Sequence, residues 1–173
     1  GKRAAADAAV GNFRKTFGAD LLAEVRARTT WAVTTPGGFH ERLTRFWSNH
    51  FAVSLDKRAA SLYVFPLERE VIRPRVTGRF EDLLVAVTQH PAMLRYLDNN
   101  RNEAESPNQN FARELMELFL LEVGNYTEAD VEASAAAWTG HADQWDDESS
   151  PYRWRPEWHD SRPKTYLGRT INT

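Results

Sequence analysis

Three charged residues, Arg113, Glu114 and Glu117, stand inside the stretch SPNQNFARELMELFLLEVGNY (106–126), which is otherwise apolar over most of a helical wheel. Phe111, Leu115, Leu118 and Phe119 take one side and Met116, Leu120 and Val123 another. The charges share a polar sector about 100° wide, so the helix reads as buried on most sides. An ionised group in such surroundings must be paired or ligated, because an isolated buried carboxylate is very costly. Glu114 and Glu117, at i and i+3, project to one side, the spacing at which bundle helices present Glu-x-x-His to a metal. Here the histidine has to come from elsewhere. His50 supplies it, since Phe39, Leu43, Phe46, Trp47 and His50 form one apolar stripe that turns the imidazole inward. The candidate ligands are therefore His50, Glu114 and Glu117, and a divalent metal ion is the cofactor they would take. A structural reading stands beside this one: Arg113 pairs with Glu117 at i, i+4, or the charges form a buried network that fixes helix packing. His50 is then a hydrogen-bonded core histidine.

A second candidate lies in WHDSRPK, where His159, Asp160 and Lys164 could do acid–base work in a loop or could equally be solvated surface. Other signatures are missing. HERLT at His40 opens like a zinc-protease helix, but Thr44 occupies the place of the second histidine. There is no Gly-x-Ser-x-Gly elbow, phosphate-cradling loop or dinucleotide fingerprint, and nothing nominates a nucleophile. With no cysteine, thiolate chemistry and disulfides are excluded.

The elements that would position these residues are helical. Residues 3–17 and 19–33 read as two helices parted near Gly18, followed by a turn at Thr34–Gly38. Further helices are expected over 39–50, over 57–72 ending before Pro74, over 78–90, and from Pro91. Ser106 as cap, Pro107 in the first helical position and Gln109 at the third predict the start of the charged helix, and Gly124 its stop. Thr127 with Asp130 starts another helix that runs to Trp138. β-branched alternation is nearly absent. The expectation is an all-α fold, a multi-helix orthogonal or bundle-like domain over 1–173. Its helical body spans 1–140, and 141–173 forms a long irregular segment of aromatic and charged residues.

At 173 residues, 42% hydrophobic and 27% charged, the chain has the balance of one folded domain. A net charge of −2 argues against a nucleic-acid binder, and no apolar run is long enough to span a bilayer. Arg69, Arg73, Arg75 and Arg79 read as a solvated or salt-bridged face rather than a phosphate site. The unfinished C-terminus, KTYLGRTINT, reads as part of a longer protein.

FWSNHFAVS (46–54), PAMLRYLDN (91–99), PNQNFARELMELF (107–119), YTEADVEASAAAWTG (126–140) and HDSRPKTYLGR (159–169) occur in this order. Together they resemble the bacterial family known as domain of unknown function 1800, over about residues 39–169. The resemblance implies a longer, mainly helical and often exported protein, frequently encoded beside a sulfatase-like partner, with no established activity. Many relatives carry histidine where this chain has Phe119 and tryptophan where it has His141, which weakens the expectation of a two-metal site. Two functional readings follow. One is a hydrolase-like or metal-binding domain in which His50, Glu114 and Glu117 lie under a loop bearing His159 and Asp160. The other is a non-catalytic scaffold that meets an exported partner through Trp145, Trp154 and Trp158, since tryptophan is enriched at interface hot spots.

Overall fold

The computed structural model describes residues 2–143 and 152–172, with side chains from residue 17 onward except 58 and 59. Trp145 lies outside the described residues. The chain forms two compact units, Gly1–Arg42 and Leu43–Thr173.

The first unit contains α1 (Lys2–Thr34), one helix rather than the expected two. Gly18 does not part it, because a lone helical glycine costs only about 1 kcal/mol relative to alanine. Leu22 and Val25 of this helix are exposed. The turn at Thr35–Gly37 is present, with the Thr35 hydroxyl accepting from the Gly37 N–H at 3.3 Å. α2 (Gly38–His50) follows.

In the second unit the helix expected over 57–72 is broken into α3 (Arg58–Ser61), α4 (Val64–Pro66), a π-helical turn (Leu67–Ile72) and a 3-10 turn (Arg73–Arg75). Pro66 explains the break: it has no N–H to donate and its ring crowds the preceding turn. α5 (Phe80–Thr88) and α6 (Pro91–Tyr96) come next. The His90 Nδ1 accepts the Ala92 N–H at 3.2 Å and so caps α6. Burial lowers the His90 pKa to about 4, which keeps that nitrogen free to accept. α7 (Gln109–Glu114) runs directly into a π-helical turn (Leu115–Leu121), and α8 (Glu128–Ala137) packs on α7.

The core has two parts, and the charged helix lies between them. Phe111, Leu115 and Phe119 join Phe51, Leu67, Ile72, Leu83, Val87 and Met93 in the larger cluster. Ala112 and Met116 join Val131 and Ala135 of α8 in the smaller one. Leu118, placed by the α-helical wheel beside Phe111, is instead 56% exposed. The i→i+5 bonding of the π turn rotates each residue away from the α-helical register.

The all-α expectation is corrected at the C-terminal end. β1 (His141–Asp143) and β2 (Tyr152–Trp154) form one antiparallel ladder, with His141 opposite Trp154. β3 (Lys164–Tyr166) and β4 (Arg169–Ile171) form another, with Lys164 opposite Ile171. Leu167 and Gly168 link the second pair with φ of +48° and +73°, the two positive values that a tight primed hairpin turn demands. The strands are three residues long, too short for period-two alternation to announce them. The fold is mostly helical with two small hairpins. Among the described residues no helix is long and apolar enough to cross a membrane.

Candidate functional site

The charged helix begins two residues later than its sequence predicts. Ser106 pairs with Glu103 in an isolated bridge, its N–H bonded to the Glu103 carbonyl at 3.0 Å. Asn108 takes the capping role instead, its Oδ1 accepting from the N–H groups of Asn110 at 3.0 Å and Phe111 at 3.3 Å. At the other end the helix stops at Leu121, before Gly124, and Glu122 turns out with φ of +64°. Carbonyls in a last turn lose their intrahelical partners. Two side chains replace them here: Asn125 Nδ2 donates to the Leu121 carbonyl at 2.7 Å, and His50 Nε2 donates to the Phe119 carbonyl at 3.1 Å. His50 is therefore a helix-capping donor. The Phe119 ring stands 6.0 Å from the His50 ring.

The charges of the helix lie on its half-open edge. Arg113 pairs with Glu128 of α8 at 2.5 Å rather than with Glu117, and both side chains are largely exposed. The Glu128 hydrogen bond raises the Arg113 pKa and the same contact lowers that of Glu128. Glu117 accepts from the Tyr126 hydroxyl at 3.3 Å, and burial followed by the Glu117 charge raises the tyrosine pKa. Glu114 is half-buried. His50, Glu117 and Arg113 thus each bond a different group. Among the described residues no three histidine, aspartate or glutamate side chains come together as a ligand set. The arrangement expected of His50, Glu114 and Glu117 is not assembled.

His159, Asp160 and Lys164 do come together, around the end of α8. The Thr139 hydroxyl donates to the Ala136 carbonyl at 2.6 Å and accepts the Asp160 N–H at 2.8 Å. His159 Nδ1 donates to the Thr139 carbonyl at 2.8 Å, leaving Nε2 buried without a partner. Asp160 is buried, and Arg162 clasps its carboxylate in two-pronged fashion, Nε to Oδ1 at 2.9 Å and Nη2 to Oδ2 at 2.6 Å. Those bonds hold the Asp160 carboxyl well below the usual carboxylate range. Lys164, also buried, donates to the Asp160 and Arg162 carbonyls, with its Nζ 3.8 Å from Asp160 Oδ1. Burial lowers the lysine pKa while Asp160 opposes the shift. This cluster closes the 160–164 loop upon itself, with the carboxylate and the ammonium facing each other rather than an open cleft.

Sequence reasoning missed the asparagines that anchor this end of the fold. Asn102 donates to Asn99 Oδ1 at 2.9 Å and to the Ala135 carbonyl at 3.0 Å, and accepts the Asn108 N–H at 2.7 Å. Asn99 donates to the carbonyls of Trp138 and His141 at 3.2 and 3.1 Å. Both are fully buried. The available signal was the density of asparagine in LDNNRNEAESPNQN, a composition suited to bridging backbone groups that helices leave open.

Above this bracket sits an aromatic layer. His141 lies between Trp138 at 4.6 Å and Trp154 at 4.9 Å, with its Nδ1 2.9 Å from the Tyr152 hydroxyl. Burial, with a smaller electrostatic contribution from the neighbouring His159, lowers the His141 pKa to about 4. Trp154 also meets the His159 ring at 4.7 Å and is 41% exposed. Arg155 lies over the half-buried Trp158 ring at 4.4 Å. Gly140 permits this closeness: its φ is +81°, and a Cβ there would fall 2.6 Å from the Arg155 carbonyl oxygen. The arginine cluster is committed to structure, Arg69 to Glu70, Arg73 to Glu68, Arg79 to Glu81, and Arg75 to the Glu70 and Val71 carbonyls.

No curated protein and no solved structure matches the chain. The sequence profile described as "Protein of unknown function (DUF1800)" matches residues 4–173, and the chain belongs to that family.

Proposed function

We propose that this chain is a non-catalytic interaction domain whose C-terminal aromatic segment, around Trp154, Arg155 and Trp158, contacts a partner protein. The observation that carries the reading is the use made of the polar side chains. His50 caps a helix, Arg113 and Glu117 bond α8 and Tyr126, and Asp160 and Lys164 close a loop, whereas Trp154 remains 41% exposed with Arg155 and Trp158 beside it. Tryptophan and arginine are the residue types that dominate binding hot spots. The metal-dependent, hydrolase-like reading loses support where two of its candidate ligands, His50 and Glu117, bond separate partners. The partner that the family resemblance implies is an exported sulfatase-like protein, and export is proposed on the same ground.

The test is a titration of a purified sulfatase-like protein, the partner that the resemblance implies, against wild-type chain and Trp158→Ala. The variant keeps the Trp158 carbonyl that accepts the Ala104 N–H, so its circular dichroism should match wild type. Loss of most of the affinity with an unchanged spectrum supports the reading. Equal affinity in both proteins rejects the surface.

A further inference from the structure

Two buried side-chain nitrogens among the described residues have no hydrogen-bond partner, Arg155 Nε and His159 Nε2, and both belong to the short stretch packed on Gly140. An unsatisfied buried donor or acceptor is costly, about 1–3 kcal/mol and more when charged, so such a group calls for a partner. Arginine carries the stronger demand, because its guanidinium is always charged and offers donors only. The nearest carboxylate to it, Glu157, is 4.0 Å from Nη1, an ion-pair distance too long for a hydrogen bond. Its side chain is 28% exposed and its Cζ lies 4.4 Å from the centroid of the Trp158 ring. This cation is therefore held over the indole and partly exposed, with its Nε unsatisfied.

The surroundings set the sign of what fills it. Residues 152–171 hold five basic side chains, Arg153, Arg155, Arg162, Lys164 and Arg169, against Glu157 and Asp160, in a chain whose overall charge is −2. Lys164 and Arg162 are bound to the Asp160 loop. One spare guanidinium on an indole suits a single planar carboxylate, which it can grip through two parallel N–H bonds. A phosphate backbone, by contrast, needs a row of spare cations. We infer that Arg155, held on Trp158, receives a glutamate or aspartate side chain from an acidic stretch of the partner polypeptide. This rests on the interaction-domain reading and adds the chemistry of the partner. Because Nε is buried, the guanidinium has to turn outward on the Trp158 ring for that nitrogen to join the grip.

The probe is an acetylated hexaglutamate peptide titrated into the intact chain at low salt, followed by tryptophan fluorescence. Hexaglutamine and a single-stranded deoxynucleotide hexamer serve as comparisons. Hexaglutamate should bind, weaken as sodium chloride rises, and compete with the sulfatase-like partner. Arg155→Met, which keeps an apolar stem on Trp158, should lose about tenfold or more in affinity, the equivalent of about 1.4 kcal/mol. Arg155→Lys, which keeps the charge without the fork, should fall between the two. Affinity within twofold of wild type in Arg155→Met overturns the assignment, as does a Lys variant equal to wild type or an oligonucleotide that binds as tightly as hexaglutamate. If Trp158→Ala loses the partner while hexaglutamate neither binds nor competes, this inference fails and the interaction surface stands. If wild-type chain does not bind the partner, the surface fails whatever the peptide does.

Discussion

Gly140→Ala tests how tightly the first hairpin is seated on the end of α8. Two costs add. A non-glycine residue with left-handed φ loses about 1–2 kcal/mol, and Gly140 has φ of +81°. The new methyl would also stand 2.6 Å from the Arg155 carbonyl oxygen and 3.2 Å from both His159 Cβ and Trp154 Cζ3, two of which are atoms that no side-chain rotation can withdraw. The hairpin must shift, which threatens the Arg155 N–H bond to the Gly140 carbonyl at 2.9 Å and the Gly140 N–H bond to the Asn102 carbonyl at 3.0 Å. Each such bond contributes about 1 kcal/mol net. The expected loss is about 3–4 kcal/mol. Gly124→Ala is the internal comparison, since Gly124 has φ of +93° but nothing within 4 Å of its Cβ position, so only the backbone cost of about 1–2 kcal/mol remains. Urea unfolding followed by tryptophan fluorescence reads both. Equal midpoints for the two variants would mean that the packing around Gly140 is not as described.

Four further outcomes are expected. His50→Ala leaves the Phe119 carbonyl without its donor and should lower unfolding free energy by about 1–2 kcal/mol in urea titration, with His50→Gln losing less if its amide reaches the same oxygen. Asn102→Ala strips acceptor or donor from Asn108, Asn99 and Ala135 together and should cost about 3 kcal/mol or more by the same measurement. His141 and His90 are both held neutral with pKa near 4, below the unfolded value of about 6.5, so the unfolded chain binds protons first as pH falls. Melting temperature should decline from about pH 6.5 toward 4, and His141→Gln should flatten that slope, whereas an unchanged slope counts against the burial described. Because no three-ligand set assembles among the described residues, chelator treatment and Glu114→Ala should leave melting temperature unaltered, and a zinc-dependent rise abolished by Glu114→Ala would reinstate the metal site.

Much of the helical body could be read from local signals, and particular residues show where reading stopped. Thr127 and Asp130 form the reciprocal capping box that their spacing announces. The start at Ser106 was misplaced by two residues, since serine, proline and glutamine offered a better local pattern than the asparagine that in fact accepts two N–H bonds. A cap is chosen by the tertiary position of the backbone, and Asn108 is also held by Asn102 and by the Leu97 carbonyl, contacts remote in sequence. The Leu167–Gly168 turn escaped for a related reason. Primed turns are signalled by Asn-Gly or Asp-Gly, and leucine at φ of +48° is a strained choice that only the finished hairpin enforces.

The candidate site turned on a geometric assumption hidden in the helical wheel. Spaced at 100° per residue, the 107–123 stretch looks enclosed, and enclosure is what makes its charges demand a ligand. From Leu115 onward the helix is π-bonded, so the wheel no longer applies to Leu118 through Val123, and both of these apolar residues face water. The helix is gripped by two separate clusters through Phe111, Leu115 and Phe119 on one side and Ala112 and Met116 on the other. A strip between the grips stays open, and there Arg113 reaches Glu128 and Glu117 reaches Tyr126. Half-open carboxylates keep much of their hydration, so the energetic argument for a metal falls away with the enclosure that motivated it. The unmet electrostatic demand sits at Arg155 instead, in the segment whose composition had set it apart from the helices.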